Sequence, residues 1–156
     1  MTRLIRDYAI PAALSLLPPA MTSREAAALL LAIAQQESDG EYRAQVGGPA
    51  RGYWMFEQGG GIHGVLAHPK TADLARTVWR ALDYPNTPTT WAVYDALRHN
   101  DVLAAVFARL LLWTLPDQLP PESAPEAGWA CYVRAWRPGK PRPEKWAASW
   151  RIGWEH

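Results

Sequence analysis

Among the 15 acidic side chains of this 156-residue sequence, Glu37 has the setting that acid chemistry would use. It follows Leu30 by seven residues and Ile33 by four, so at helical spacing it continues an apolar stripe. A carboxyl placed there is partly desolvated, which disfavours its charged form. The same spacing puts it in the last turn of a helix, where the negative end of the helix dipole acts in the same direction. Both effects raise its pKa, and a carboxylic acid that keeps its proton near neutral pH is what protonation of a glycosidic oxygen requires. Position alone does not set Glu37 apart, because a glutamate near a helix end is more often a solvated surface group.

A second carboxylate would decide how such a reaction is completed. Two carboxylates flanking the bond support hydrolysis, and their separation sets the stereochemical outcome. Asp39 and Glu41 flank Gly40 in a turn, where acidic residues are ordinary. Glu57 is better placed, since Tyr53 and Met55 share its side if the segment is extended. It reads either as a base or water-positioner or as a solvated loop residue. Ser38 has no nucleophile elbow around it and no histidine at a partner position, so its expected task is to orient the Glu37 carboxyl or the backbone. Gly59-Gly60-Gly61 lacks the Lys-Ser/Thr and the preceding buried strand of a phosphate loop, and reads as a mobile turn. The four histidines have no zinc-site spacing, and Cys131 has no second cysteine to join it. No metal and no cofactor is expected. Cys131 itself, between apolar and aromatic neighbours, reads as a buried inert thiol.

The elements that must position Glu37 are helices. Thr22-Ser23-Arg24-Glu25 has the pattern of a capping box and opens a helix to about Ser38, with Gly40 as the stop. Its interior, Ala26 to Ala34, is apolar on every face, as expected of a central buried helix. Before it, residues 9–17 read as part of a first amphipathic helix ended by Pro18-Pro19. After it, eight glycines between positions 40 and 64 indicate a glycine-rich loop or small β lobe, with an extended or irregular segment over 51–57 lining a cleft. Helical patterning resumes at Thr71, with Leu74, Ala75, Val78, Trp79 and Leu82 on one face. Further helices are expected over 90–99, 102–115 and, from a second capping box at Ser123-Ala124-Pro125-Glu126, to about Trp136. A last one is expected over 144–152. The chain thus reads as one mainly α domain over 1–156, with six or seven helices around a central one.

A resemblance joins these parts. Ala34-Gln35-Gln36-Glu37-Ser38, followed by Gly52-Tyr53-Trp54-Met55-Phe56-Glu57, resembles the lysozyme-like superfamily of soluble lytic transglycosylases, goose-type lysozymes and phage lysozyme-like proteins. In that group a catalytic Glu followed by Ser ends a buried helix, and a Gly-hydrophobic-hydrophobic-Gln element lines the sugar cleft. The motifs cover about a quarter of the chain, Leu29 to Gly64. Tyr132 to Pro141 also looks like a segment of phage-encoded relatives. The resemblance implies a lysozyme-like α+β fold and cleavage of peptidoglycan glycan strands with Glu37 as general acid. It matches Ser38 and Gly52 to the family pattern. The family Gln falls on Met55, a departure, because a thioether cannot make the hydrogen bonds of an amide. It further implies that a single acid suffices in a lytic transglycosylase, where the sugar's own groups complete the reaction and leave an anhydro end.

Nine tryptophans suit a saccharide cleft, since flat aromatic faces stack on sugar rings. Tyr53 and Trp54 adjoin the motif and are expected to do so. Trp79, Trp129 and Trp136 have core spacing. Trp146, Trp150 and Trp154 form a helical stripe expected to dock the C-terminal segment onto the body. Net charge +1 excludes a nucleic-acid binder driven by bulk charge, yet residues 130–156 carry six Lys/Arg against two Glu. That asymmetry would help approach to an anionic wall, or is simply a solvated basic tail. No convincing signal peptide precedes residue 20 and no segment is long enough to span a membrane. A phage endolysin waiting in the cytoplasm for a holin, or a virion-associated enzyme, is the expected setting. A non-catalytic wall-binding or virion structural protein is the alternative. A helical protein unconnected with sugars is a third reading, which would leave Glu37 facing open solvent.

Overall fold

Two helices that never reach solvent on most of their faces organise the chain. The computed structural model describes residues 2–155 and is mainly helical. The first rod runs as α1 (Thr2–Leu4), a π turn (Ile5–Ala9) and α2 (Ile10–Ser15). The Ile10 N–H bonds the Ile5 carbonyl one residue further back than an α-helix would. This widened turn falls where the Pro11 ring would crowd the carbonyl four residues before it. Pro18 ends the rod and a 3-10 turn (Pro19–Met21) leads to the central helix, α3 (Arg24–Ser38).

Leu29, Leu30, Ile33 and Ala34 of α3 are fully buried. Its cap is Ser23, not Thr22: Ser23 is extended and its Oγ accepts from the Ala26 N–H at 3.0 Å. Asp39 closes the helix in the left-handed conformation (φ 57°), one residue earlier than Gly40 (φ 66°). The second buried rod is α7 (Asp101–Trp113), capped by Asn100 Oδ1 on the Leu103 N–H at 2.9 Å. Around these pack α4 (His63–Ala67), α5 (Ala72–Ala81), α6 (Thr90–Leu97), α8 (Pro125–Trp136) and α9 (Pro143–Trp154). The Ser123 capping box does not form. Ala124 is the cap without a side-chain bond, and Pro125 starts α8 with its preset φ.

Helix α9 lies along α3, and the tryptophan stripe docks it as expected. Trp146, Trp150 and Trp154 pack in sequence as tilted pairs with centroids 5.8 and 5.7 Å apart. Trp146 and Trp150 donate to the carbonyls of Pro125 and Glu122, tying α9 to the approach to α8. Gly153 permits the contact with α3, since a Cβ there would lie 2.4 Å from the Ala28 carbonyl oxygen.

The glycine-rich lobe holds no extended strand among the described residues. It carries two isolated bridges, Ala44 with Arg51 and Arg51 with Phe56. The chain turns helical earlier than expected, in a π turn (Gln58–Ile62) that is kinked at Gly60 (φ −99°, ψ −113°) and runs into α4. This helical segment is missing from the expected set of six or seven. The glycines that disfavour it locally let it pack: a Cβ on Gly61 would meet Phe56 Cδ1 at 2.7 Å. Tertiary burial of Ile62 and Val65 outweighs the low propensity of the glycine run.

Candidate active site

Glu37 is half-buried in the last turn of α3. Tyr132 of α8 donates its hydroxyl to Glu37 Oε1. The Tyr132 ring is held flat against Trp146 of α9, with centroids 5.6 Å apart and planes at 8°. Burial pushes the Glu37 carboxyl above its ordinary 4.5, while the Tyr132 hydrogen bond and the charges of Lys145 and Arg142 pull it down; burial prevails. The Tyr132 hydroxyl is itself driven well above its ordinary range, by burial first and by the Glu37 carboxylate next, so it stays a donor.

A network around the neighbouring residue fixes this geometry. Gln36 is buried, its Nε2 donates to the Arg142 carbonyl at 2.9 Å, and its Oε1 accepts from Ser149 Oγ at 2.9 Å. Lys145 Nζ bonds the Gln36 carbonyl at 3.0 Å and pairs with Asp39 Oδ1 at 2.6 Å. The C-terminal turn of α3 and the N-terminal turn of α9 are thus one unit. Gln36, Tyr132, Arg142 and Lys145 are the site residues that sequence reasoning missed. Gln36 stood unremarked inside the Ala34 to Ser38 motif, and the trace of the other three was the Tyr132 to Pro141 segment and the basic excess of the last residues.

Glu37 opens onto a cleft of about 610 Å³. One wall is Tyr42, Gln45 and Val46 of the glycine-rich lobe. The cleft is also lined by Trp136, Arg137, Lys140 and Arg142, from the end of α8 and the loop after it. The basic excess therefore borders the cleft. Of the residues expected here, Glu37, Ser38, Met55 and Glu57 line the cleft together. Met55 sits in a left-handed conformation (φ 50°) in the turn begun by Gly52, its N–H on the Gly52 carbonyl at 3.0 Å.

Three expected site residues serve the fold instead. Tyr53 and Trp54 are fully buried and present no face to a ligand. Trp54 Nε1 donates to the Leu30 carbonyl at 2.8 Å, Trp136 Nε1 donates to the Trp54 carbonyl at 2.9 Å, and the Arg43 guanidinium lies over the Tyr53 ring at 4.8 Å. Segment 51–57 curls rather than extending, which turns these rings inward. Gly52 (φ 76°) packs under α7, where a Cβ would come within 3.3 Å of Ala104 Cβ. The aromatic groups the cleft does offer are Trp136 and the half-exposed Tyr42.

Comparison with family models, curated proteins and solved structures gave no match.

The remaining polar groups have definite tasks. Ser38 is buried, and its Oγ donates to the Ala34 carbonyl at 2.9 Å, so it bonds the backbone rather than the Glu37 carboxyl. Asp39 is engaged by Lys145, and Glu41 does not line the cleft. Glu57 is exposed at the cleft edge, where a neighbouring cavity begins. Cys131 is half-buried, and burial raises its thiol pKa, which makes it a poor nucleophile. The arrangement can present one proton, held at Glu37, to a bond lying in a groove with basic and aromatic walls.

Proposed function

We propose that this protein cleaves the glycan strands of bacterial peptidoglycan, at the β-1,4 bond between N-acetylmuramic acid and N-acetylglucosamine, as a phage- or prophage-encoded enzyme. The observation that carries the reading is the half-buried Glu37 carboxyl, raised in pKa, bonded by the Tyr132 hydroxyl and lining a cleft of about 610 Å³. The Glu-Ser ending of a buried helix, which prompted the resemblance, supports it from the sequence side. Glu37 gives its proton to the glycosidic oxygen as the bond to the anomeric carbon breaks. The cationic carbon that results is captured by a hydroxyl of the same sugar, whose proton returns to Glu37. This single-acid route is favoured because Asp39 is neutralised by Lys145 and Glu57 stands in solvent. Water activated by Glu57 would give the hydrolytic product instead. The two are separated by mass spectrometry of the released muropeptides, since the anhydro product is lighter by one water.

The second reading is a non-catalytic wall-binding or virion protein, and Met55 favours it, because a thioether lines the cleft where the family has an amide. Loss of turbidity of purified peptidoglycan, compared between wild type and Glu37→Gln, decides between them. Clearing by the wild type and none by the variant supports catalysis. Equal rates in both, or none in either, overturn it.

A further inference from the structure

Arg109 lies at the opposite end of α3 from Glu37, inside the run Val106 to Leu112 of α7. It is only 4% exposed. Guanidinium groups this deep are ordinarily paired with a carboxylate. Among the described residues, none lies within ion-pair distance of Arg109. Its Nε donates to the Met21 carbonyl at 2.8 Å and its face rests 5.2 Å from the Trp113 ring centroid. The two terminal nitrogens have no protein acceptor among the described residues and are not fully sealed from solvent, and Arg109 lines the adjoining cavity. Desolvation by burial pulls the Arg109 pKa down to about 10.

That cavity has a volume of about 770 Å³. Ser23, the cap of the 15-residue helix α3, lines it, so the positive end of the helix dipole faces the same space. Lys70 adds a second cation and Gln118 a neutral donor, while Leu112, Trp113 and Pro121 supply apolar wall. Asp117 also lines the cavity and is paired with Arg134 at 3.5 Å. Arg109 and Lys70 against Glu25 then leave one positive charge unanswered.

We propose that this cavity is a carboxylate-binding site, in which the end-on fork of Arg109 takes a single carboxylate carrying a short apolar group. With Nε committed to Met21, the terminal nitrogens present two parallel N–H bonds, the geometry a carboxylate matches. One unanswered charge suits a monoanion, and Glu25 in the lining opposes a dianionic phosphate. The apolar group lies against Leu112, Trp113 and Pro121. The site is roughly 20 Å from Glu37 along α3 at 1.5 Å per residue, and it does not rest on the proposed activity.

The probe is N-acetylalanine, with N-acetylalaninamide as its neutral counterpart and inorganic phosphate as the competing anion, all at constant ionic strength. We expect N-acetylalanine to move the Arg109 Nε–H resonance saturably and to raise Tm, with the amide and phosphate doing neither. Arg109→Met is expected to weaken binding at least about tenfold, from loss of a charged hydrogen-bonded pair. Glu37→Gln should bind as the wild type does. A saturable response to the amide equal to that of the acid, a response to phosphate alone, or no response to any of the three overturns the proposal. The wild-type titration decides it even if Arg109→Met does not fold. Where that variant folds, unchanged binding also overturns the proposal.

Discussion

At the Glu37 carboxyl, burial acts against the Tyr132 hydroxyl and the Lys145 and Arg142 charges, and the balance leaves the proton more tightly held than in water. A pKa raised on folding means the native state binds more protons than the unfolded chain between the two pKa values. Stability then falls as pH rises through that window. The sign is the reverse of a salt-bridged carboxylate. Glu37→Gln removes the penalty while keeping an oxygen for Tyr132 to donate to. We expect the variant to have a higher Tm than wild type at pH 7 and no advantage below the ordinary carboxyl pKa; thermal melts at pH 3.5 and 7 check this. The same variant should lose about 10²–10⁴-fold in wall-cleaving rate, the usual worth of a positioned general acid.

Tyr132→Phe acts on the same proton with opposite leverage. The hydroxyl stabilises the carboxylate, so its removal raises the Glu37 pKa further. On the proposed mechanism the protonated form is the active one, so the alkaline limb of the pH–rate profile should move to higher pH. A limb that stays in place or moves acidic would show that Tyr132 does not act through Glu37.

Between elements, the contact of α9 with α3 holds the site together. It brings Lys145 and Arg142 to the end of α3 and locks Gln36 between Ser149 and the Arg142 carbonyl. The contact depends on Gly153, where an added methyl would meet the Ala28 carbonyl at 2.4 Å and Ala32 Cβ at 2.9 Å. Backbone cannot yield as a flexible side chain can, so α9 must move. Gly153→Ala should cost about 1–3 kcal/mol, the range for overpacking, read as a lower urea midpoint. Activity should fall by more than the loss of folded protein accounts for, since the same shift displaces Lys145. Capping at this scale followed backbone geometry more than motif spelling. Ser23 took the place expected of Thr22 because its extended backbone points its Oγ at the Ala26 N–H.

Over the whole molecule the charge is close to balanced, yet Arg137, Lys140 and Arg142 stand together on one wall of the cleft. Their field reaches an anionic polymer only within about a Debye length, some 8 Å at physiological salt. Replacing all three by Gln should weaken binding to peptidoglycan sacculi and flatten its salt dependence. A pelleting assay over a salt series measures both. An unchanged salt slope would mean the basic wall does not meet the substrate.

Sequence alone determined the helical character, the buried nature of α3, the docking of the Trp146–Trp150–Trp154 stripe and the placement of Glu37 on a buried face. Each follows from spacing within one element, which a periodic pattern carries completely. Only the tertiary structure decided what surrounds that carboxyl. Tyr132, Lys145 and Arg142 reach Glu37 from 95 to more than 100 residues away, and no local pattern encodes which face of α8 or α9 will meet α3. Tyr53 and Trp54 went the other way: their types suited a sugar cleft, but the turn at Gly52 and Met55 points them into the core. Arg109 was hidden by its own apolar run, because a charge inside such a helix declares its purpose only through what it faces across space.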